Sequence, residues 1–316
     1  MKKIIPFSGK LSKQKTEAWV AVLQENLPQH SVIDLDDLSS KEKSNVDVVV
    51  VANPDIAKLA ELKNLKWVHS VWAGVESIIS SDLNREISIS RLVDPNLAQA
   101  MAEAALTATL FIHRDMPLYL VQQSKSNWQQ HSVKLAQQRR VGILGLGELG
   151  MHVANRLSLN GFKVSGWSRQ KKNCTALKIT SLYGHDGLEN LLKQSEILII
   201  LLPLTDQTKG LIDHKTLSLM PQGASIINLA RGPIINEQDL LAQIESRHIN
   251  HAVLDVFDQE PLPKQHPFWM HPNITVWPHI AAPTNQHSAA KIVANNIQTY
   301  FDKGTMANVV DRNQQY

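Results

Sequence analysis

From Arg140 to Arg169 the chain reads RVGILGLGELGMHVANRLSLNGFKVSGWSR, and this stretch constrains the fold more than any other. An apolar run at 141–144 ends in Gly145, Gly147 and Gly150, spaced G-x-G-x-x-G at the mouth of a helical pattern. The first glycine suits a tight turn, and the second lets backbone approach a diphosphate. The third lets helix and strand pack closely. The start of that helix offers free N–H groups and a partial positive charge, so Glu148 and Leu149 join the three glycines as candidate cofactor contacts. Gly161 sits where the helix should stop, and a second apolar segment follows at 163–167. The glycine spacing alone is a weak signal. Strand, turn, helix, glycine stop and second strand in one stretch make a chance glycine loop improbable.

The end of the second strand bears on the cofactor. Folds that bind NAD place an acid there for the ribose 2′-hydroxyl. This chain has Ser168 and Arg169, followed by Lys171 and Lys172. A carboxylate would repel a 2′-phosphate, whereas a hydroxyl with a guanidinium would bind one. Ser168, Arg169 and Lys172 therefore predict NADPH as the preferred cofactor, with NAD possible. The plainer alternative makes Arg169 a solvated surface arginine.

Strand-like segments recur at 197–202, 225–229, 251–255 and 274–276, mostly separated by helical segments. With the first two they give six strands of a doubly wound parallel sheet. Upstream, residues 1–100 alternate short apolar strands (3–5, 46–52 and 65–74) with helices, including one over 11–27. That rhythm predicts a smaller parallel α/β domain. A long Ala- and Leu-rich helical pattern over 97–121 is apolar on more than one face, which suggests packing between domains or against a second subunit. The polar stretch 122–138 reads as a linker with Trp128 a candidate anchor, and 288–301 as a last helix returning to the first domain.

Composition closes off several classes. The chain has 316 residues, 43% hydrophobic and 19% charged, which excludes disorder and permits two cores. A net charge of +3 implies no general attraction to nucleic acid or membrane. No apolar run is long enough to span a bilayer. The start MKKIIPFSGKLSKQK turns polar too soon for a secretory signal. A single cysteine, Cys174, allows no intrachain disulfide and no cysteine-based metal site, so no metal is expected. A cytoplasmic protein is the expectation.

Three later segments carry candidate chemistry. In INLARGPIINEQDLL, Arg231 follows an apolar strand. In HAVLDVFDQEPLP, Asp255 stands at a strand end, with Glu260 shortly after. In ITVWPHIAAP, His279 follows the last strand. Open α/β sheets bind ligands beyond the carboxyl ends of their strands. Arg231 suits a carboxylate and a polarised keto oxygen. His279 suits donation of a proton to that oxygen as a nicotinamide delivers hydride to carbon. Glu260 beside the imidazole would favour its charged form. Each residue alone is more often a solvated side chain; the shared strand-end setting raises them together.

RGPIINEQDL, LDVFDQEPLP and WPHIAA resemble the signature segments of the D-isomer-specific 2-hydroxyacid dehydrogenases. LLPLTDQTKGLI is similar to that family's segment beside the nicotinamide, WAGVESI to its substrate-carboxylate loop, and MAEAALTATLFIHRDMP to its dimer helix. Within the family, WSRQKK, NLARG, HPFWMHPNITVWPHIAA and SRLVDPNLAQAMAE resemble the bacterial NADPH-preferring glyoxylate/hydroxypyruvate reductases. The resemblance covers nearly the whole chain. It implies Arg231, Glu260 and His279 as catalytic residues, and the amides of Ala73, Gly74 and Val75 as substrate-carboxylate ligands. It further implies Leu202, Pro203, Leu229, Ala230 and Asp255 lining the cofactor. The implied fold is a Rossmann cofactor domain (101–285, opening on the dimer helix) inserted into a flavodoxin-like substrate domain (1–100 and 286–316). A homodimer is implied as well.

The chain departs from the family pattern at two places. Asn236 stands where many relatives carry an acid, a place where it can cap a helix. Ala281, Ala282 and Pro283 follow His279 where many relatives have glycine or serine, which touches the pocket wall and hence the substrate. Arg91 and Trp72 are further candidates for substrate contact. The expected activity is NADPH-dependent reduction of glyoxylate or hydroxypyruvate. The alternatives are reduction of bulkier 2-keto acids and a non-catalytic dinucleotide sensor on the same fold.

Overall fold

The computed structural model describes residues 2–175 and 179–316, and these fold as two compact units. One comprises Met1–Leu97 and Thr284–Tyr316, the other Ala98–Pro283. The chain crosses between them after Leu97 and Pro283, a few residues before the expected 100 and 285. Inside the first unit, buried Asp94 fastens both crossing segments. It accepts from the Asn96 amide at 2.9 Å, capping the helix Pro95–His113, and from the Ser288 hydroxyl at 2.5 Å.

The first unit holds five parallel strands: β1 (Ile4–Gly9), β2 (Ser31–Asp34), β3 (Val48–Ala52), β4 (Trp67–Ser70) and β5 (Ser88–Ser90). Their order is β2-β1-β3-β4-β5. A strand covered on both faces reads as an unbroken apolar run, and β3, VVVVA, is buried throughout. Val48 and Val50 pack with Trp19 and Leu23 of the helix Lys13–Asn26 and with Val293 and Ile297 of the closing helix Gln286–Lys303. Val49 and Val51 pack on the other face with Leu59 and Ile89. The sequence reading misses β2 and β5, which are only four and three residues long and carry no extended apolar run.

The second unit holds seven parallel strands: β6 (Arg140–Leu144), β7 (Lys163–Ser168), β8 (Thr180–Tyr183), β9 (Ile197–Ile200), β10 (Ala224–Asn228), β11 (Ile249–Leu254) and β12 (Ile274–Val276). Their order is β12-β11-β10-β9-β6-β7-β8. The chain moves outward from β6 to β8 and returns to β9 on the other side of β6, so the switch point lies between β6 and β9. The sheet has one strand more than the six expected. β8, TSLY, is a partly exposed edge with no apolar run to betray it. Alternation splits the core in two. Ile143, Ile197, Ile199 and Val253 pack under the helices Pro95–His113 and Glu148–Leu159. Leu144, Leu198, Ile200 and Leu254 pack under Gly184–Gln194 and Glu237–Glu245.

The single helix expected over 97–121 is two, Pro95–His113 and Met116–Ser124. They are broken where Asp115 turns left-handed at φ 53°, just before Pro117, which cannot continue an incoming helix. Trp128, expected as an anchor, is 94% exposed and so is not anchored among the described residues. No described helix is long and apolar enough to cross a membrane.

The closing helix is tied to the first sheet by a buried polar pair. His69 of β4 is fully buried; its Nδ1 faces the Ser70 carbonyl and its Nε2 faces the Asn296 amide nitrogen, each at 3.0 Å. A carbonyl only accepts, so Nδ1 carries the proton and the ring is neutral. Burial pushes its pKa down to about 4. The unfolded chain, near the ordinary value of 6.5, takes up this proton first. Stability is therefore lost as pH falls from about 6.5 towards 4, by up to about 3 kcal/mol at the acid end. His251, also buried and held down to about 4, acts in the same direction. Urea unfolding midpoints measured across that window should fall with acid, and His69→Asn should flatten the slope by one proton's share. An unchanged slope in the variant would contradict the account.

Candidate active site

The site is built from the turns that leave β6, β7, β9, β10, β11 and β12 at their carboxyl ends. Leaving β6, Gly145 takes φ +108°, and its amide donates to the Trp167 carbonyl at 2.9 Å. A Cβ at Gly150 would lie 1.7 Å from the Gly145 oxygen, so only glycine lets the helix Glu148–Leu159 come this close to the strand. Gly147 differs. It stands at the N-cap with no side-chain cap, and an added Cβ would meet nothing within 4 Å. The space above the helix N-terminus is thus open on the side where a diphosphate would be cradled, with the amides of Glu148 and Leu149 in the first turn. The residues present fit a dinucleotide.

Leaving β7, the Ser168 hydroxyl donates to the Gln170 carbonyl at 2.7 Å. Exposed Arg169 donates from Nη1 to the Gln207 Oε1 at 3.1 Å. The Lys172 amide reaches back to Ser181 of β8 at 3.4 Å. Gln207, in the turn after β9, goes unnoticed in the sequence reading. In the segment that follows β9, Leu202 is buried and Pro203 partly so.

Leaving β10, Asn228 is buried and works twice. Its Oδ1 accepts from the Ala230 amide at 3.1 Å, and its Nδ2 donates to the Arg231 carbonyl at 3.0 Å. These bonds shape the turn that buries Leu229 and Ala230 and leaves Arg231 partly exposed, its Nη1 on the Ala230 carbonyl at 2.6 Å. Gly232 follows, and a Cβ there would lie 2.0 Å from the Phe257 carbonyl carbon. Bare backbone at 232 brings the Arg231 turn against the one that carries Glu260. Asn236 caps the next helix, as expected, accepting from the amides of Gln238 and Asp239.

The imidazole and carboxylate expected to cooperate do meet. His279 Nδ1 lies 2.7 Å from Glu260 Oε2, while Glu260 Oε1 accepts from the Phe257 amide at 3.0 Å. A carboxylate held at both oxygens fixes the ring with Nδ1 inward, leaving Nε2 for a reactant. The His279 side chain is 53% exposed and its backbone is left-handed at φ 53°. Asp255 holds it there. Its carbonyl accepts from the His279 amide at 2.9 Å, and its carboxylate accepts from the amides of Ile280 at 2.7 Å and Ala281 at 3.0 Å. Burial pushes the Asp255 carboxyl above the usual range despite those two bonds.

In the other unit, Ala73, Gly74 and Val75 follow β4 and lead into the short helix Glu76–Ile79. Among the described residues, no acceptor is found for their three amides. The Trp72 amide donates to Ser70 Oγ, and its enclosed indole N–H has no acceptor among the described residues. The Arg91 amide donates to the Asn308 carbonyl. No cluster of metal-ligating side chains is present among the described residues.

A doubly wound sheet with a diphosphate cradle at its switch point and an imidazole–carboxylate pair at its strand ends defines a dinucleotide-dependent oxidoreductase. Residues 106–281 match the NAD-binding domain of the D-isomer-specific 2-hydroxyacid dehydrogenases. A member of that group from Xanthobacter autotrophicus Py2, solved with NADPH and MES, is 34% identical over 100% of both chains, with a TM-score of 0.93. An NADPH-dependent glyoxylate/hydroxypyruvate reductase from Sinorhizobium meliloti, solved with NADP and sulfate, is 30% identical over 100% of both chains, at 0.91. A probable 2-hydroxyacid dehydrogenase from Rhizobium etli CFN 42, solved with NADP, HEPES and L(+)-tartaric acid, is 28% identical over 100% of both, also at 0.91. The chain belongs to the D-isomer-specific 2-hydroxyacid dehydrogenase family.

The two glycines of the cradle should separate experimentally. Gly147→Ala meets open space and should leave Tm nearly unchanged while weakening dinucleotide binding. Gly150→Ala forces the helix off the strand and should cost about 1–3 kcal/mol in stability. Calorimetry with dinucleotide titration reads both. A Gly147→Ala protein that binds as tightly as the parent would remove the cradle from this turn.

Proposed function

We propose that this chain is an NADPH-preferring reductase of small 2-keto acids, glyoxylate or hydroxypyruvate, with Arg231, Glu260 and His279 as its catalytic residues. The observation that carries the reading is the 2.7 Å contact between His279 Nδ1 and Glu260 Oε2 at the strand ends of the dinucleotide sheet. The bound cofactor would supply a hydride to the keto carbon, and every other task falls to the chain. The guanidinium of Arg231 would bind the substrate's oxygens and draw charge towards the keto group. His279, held by Glu260 with Nε2 outward, would give its proton to the oxygen as that oxygen gains charge. The amides of Ala73, Gly74 and Val75 would bind the substrate carboxylate; their lack of acceptors among the described residues supports this role. In this reading the first unit would bind the substrate and the second the cofactor.

Preference for NADPH over NADH is supported by Ser168 and Arg169 where an acid would select NAD, and by the NADPH and NADP bound in the relatives. Lys172 adds positive charge in the same segment. Leu202, Pro203, Leu229 and Ala230 would line the cofactor, and buried Asp255 would shape the wall behind it. A homodimer is supported by the apolar residues left exposed along Met116–Ser124 and beyond it, Leu118, Leu120, Trp128 and Leu135 among them. We place this dimer in the cytoplasm, where its single buried cysteine would stay reduced.

The test is a panel of 2-keto acids with NADPH and with NADH, followed by the loss of cofactor absorbance. Glyoxylate and hydroxypyruvate should be the best substrates, and a clear preference for branched or aromatic acids would overturn the substrate assignment. NADPH should give the higher kcat/KM, and Arg169→Ala should erase most of that gap. A charge-assisted contact of about 1.5–3 kcal/mol corresponds to roughly one to two powers of ten. Equal use of both cofactors by the parent enzyme would end the cofactor assignment.

Arg231→Lys tests the carboxylate and keto contact, because an ammonium cannot reproduce the planar two-donor fork. Substrate KM should rise and kcat should fall, while NADPH affinity from fluorescence titration stays close to the parent value. Near-normal turnover in this variant would take Arg231 out of the site.

A further inference from the structure

Arg169 and Gln207 come from opposite sides of the glycine turn. Arg169 follows β7 and Gln207 lies beyond β9, and β6 stands between those strands in the sheet. Their 3.1 Å contact, from Arg169 Nη1 to Gln207 Oε1, therefore crosses the carboxyl end of β6, where Gly145 and Gly147 turn. Both side chains are exposed, so nothing in the core forces them together.

The turn that carries Gln207 is braced. The Thr205 amide donates to Thr208 Oγ1 at 2.8 Å, and that hydroxyl donates to the Pro203 carbonyl at 2.6 Å. The Lys209 amide closes a helical turn on the Thr205 carbonyl at 2.9 Å. Beyond it, the amides of Gly210 and Ile212 donate to the carbonyls of Pro233 and Ile234 at 2.8 and 3.0 Å. The backbone at Gln207 is thus fixed, and the contact orders the arginine side chain, which alone carries about 2 kcal/mol of rotamer freedom.

We propose that Gln207 is a positioning residue for cofactor selection: it holds the Arg169 guanidinium over the mouth of β6, ready for the 2′-phosphate of NADPH. The inference rests on the NADPH reading given above. The choice of side chain suits the task. A neutral amide oxygen takes up one of the five guanidinium donors without cancelling the positive charge that attracts a phosphate. A carboxylate at 207 would neutralise the same guanidinium and repel the phosphate. Ordering the arginine before the ligand arrives removes an entropic cost that NADPH binding would otherwise bear.

The test is titration of the apoenzyme with NADPH and with NADH, followed by cofactor fluorescence and by calorimetry, for Gln207→Ala, Gln207→Glu, Arg169→Ala and the Gln207→Ala/Arg169→Ala double variant. Loss of one hydrogen bond predicts that Gln207→Ala raises the NADPH Kd roughly two- to tenfold. The NADH Kd should stay close to the parent value. Gln207→Glu should weaken NADPH binding further, again sparing NADH. In the Arg169→Ala background, Gln207→Ala should add no further loss, because the residue acts through the arginine. An unchanged or lower NADPH Kd in Gln207→Ala, an equal loss for both cofactors, or full additivity in the double variant would overturn the proposal. Arg169→Ala separates the two levels: if it leaves the preference for NADPH intact, the cofactor reading itself fails, whatever Gln207 does.

Discussion

The helix Glu148–Leu159 rests on the carbonyl of Gly145 so closely that position 150 has no room for a single carbon. Much of the second unit follows from that approach. It sets the helix N-terminus over the end of β6, where its unpaired amides make an anion site without any charged side chain. It also fixes where the neighbouring turns must end. The segments after β7 and β9 flank the same opening, so Arg169 and Gln207 can meet across it only because the glycine turn between them stays low. Backbone packing thus sets the geometry that side chains then specialise.

A second layer of order lies one strand pair away. β10 and β11 pair with Asn228 opposite Leu254, and the Asp255 amide donates to the Asn228 carbonyl at 3.0 Å. Both side chains are buried at the strand ends, and both spend their polar atoms on backbone. Asn228 shapes the turn that presents Arg231, and Asp255 the turn that presents His279. Bare Gly232 packs the first turn against the backbone of Phe257, whose amide holds Glu260. Arginine, carboxylate and imidazole are therefore joined through one continuous set of backbone bonds rather than through direct contact of all three. Displacing any one turn by an ångström would misplace all of them.

What could be read from the sequence follows from what leaves a pattern. Fully buried strands leave apolar runs, so β3, β6, β9, β10 and β11 are legible, and the glycine spacing places the cradle. Edge strands leave none: β2, β5 and β8 are short or half exposed. The break at Asp115 is hidden because the apolar spacing runs on across it, and Pro117 is the only local hint. Glu260 and His279 could be named because acids and histidines at strand ends are conspicuous. Asn228 and Gln207 could not, because a side-chain amide bonded to backbone or to one arginine has no sequence signature. Asp255 was visible as a strand-end acid expected beside the cofactor, yet both its oxygens are spent on the loop of His279.

Asp255 also shows what that positioning costs. Two amides converge on its carboxylate, so the position requires an acceptor at both oxygens, and only an ionised acid supplies two. Asparagine would turn a donor towards a donor and leave a buried amide unsatisfied, at a cost of roughly 1–3 kcal/mol. Yet burial raises the Asp255 pKa above that of the unfolded chain, so its charged form is carried at a loss. The sign is fixed by the direction of the shift. The stability this carboxyl contributes is full below its unfolded pKa and declines as pH rises through the folded one. Once the carboxylate is charged, the fold thus gives up stability at this position. What it gains is a left-handed His279, held from below by a group that solvent does not reach. A neutral residue would be cheaper to bury, but it could not hold that loop.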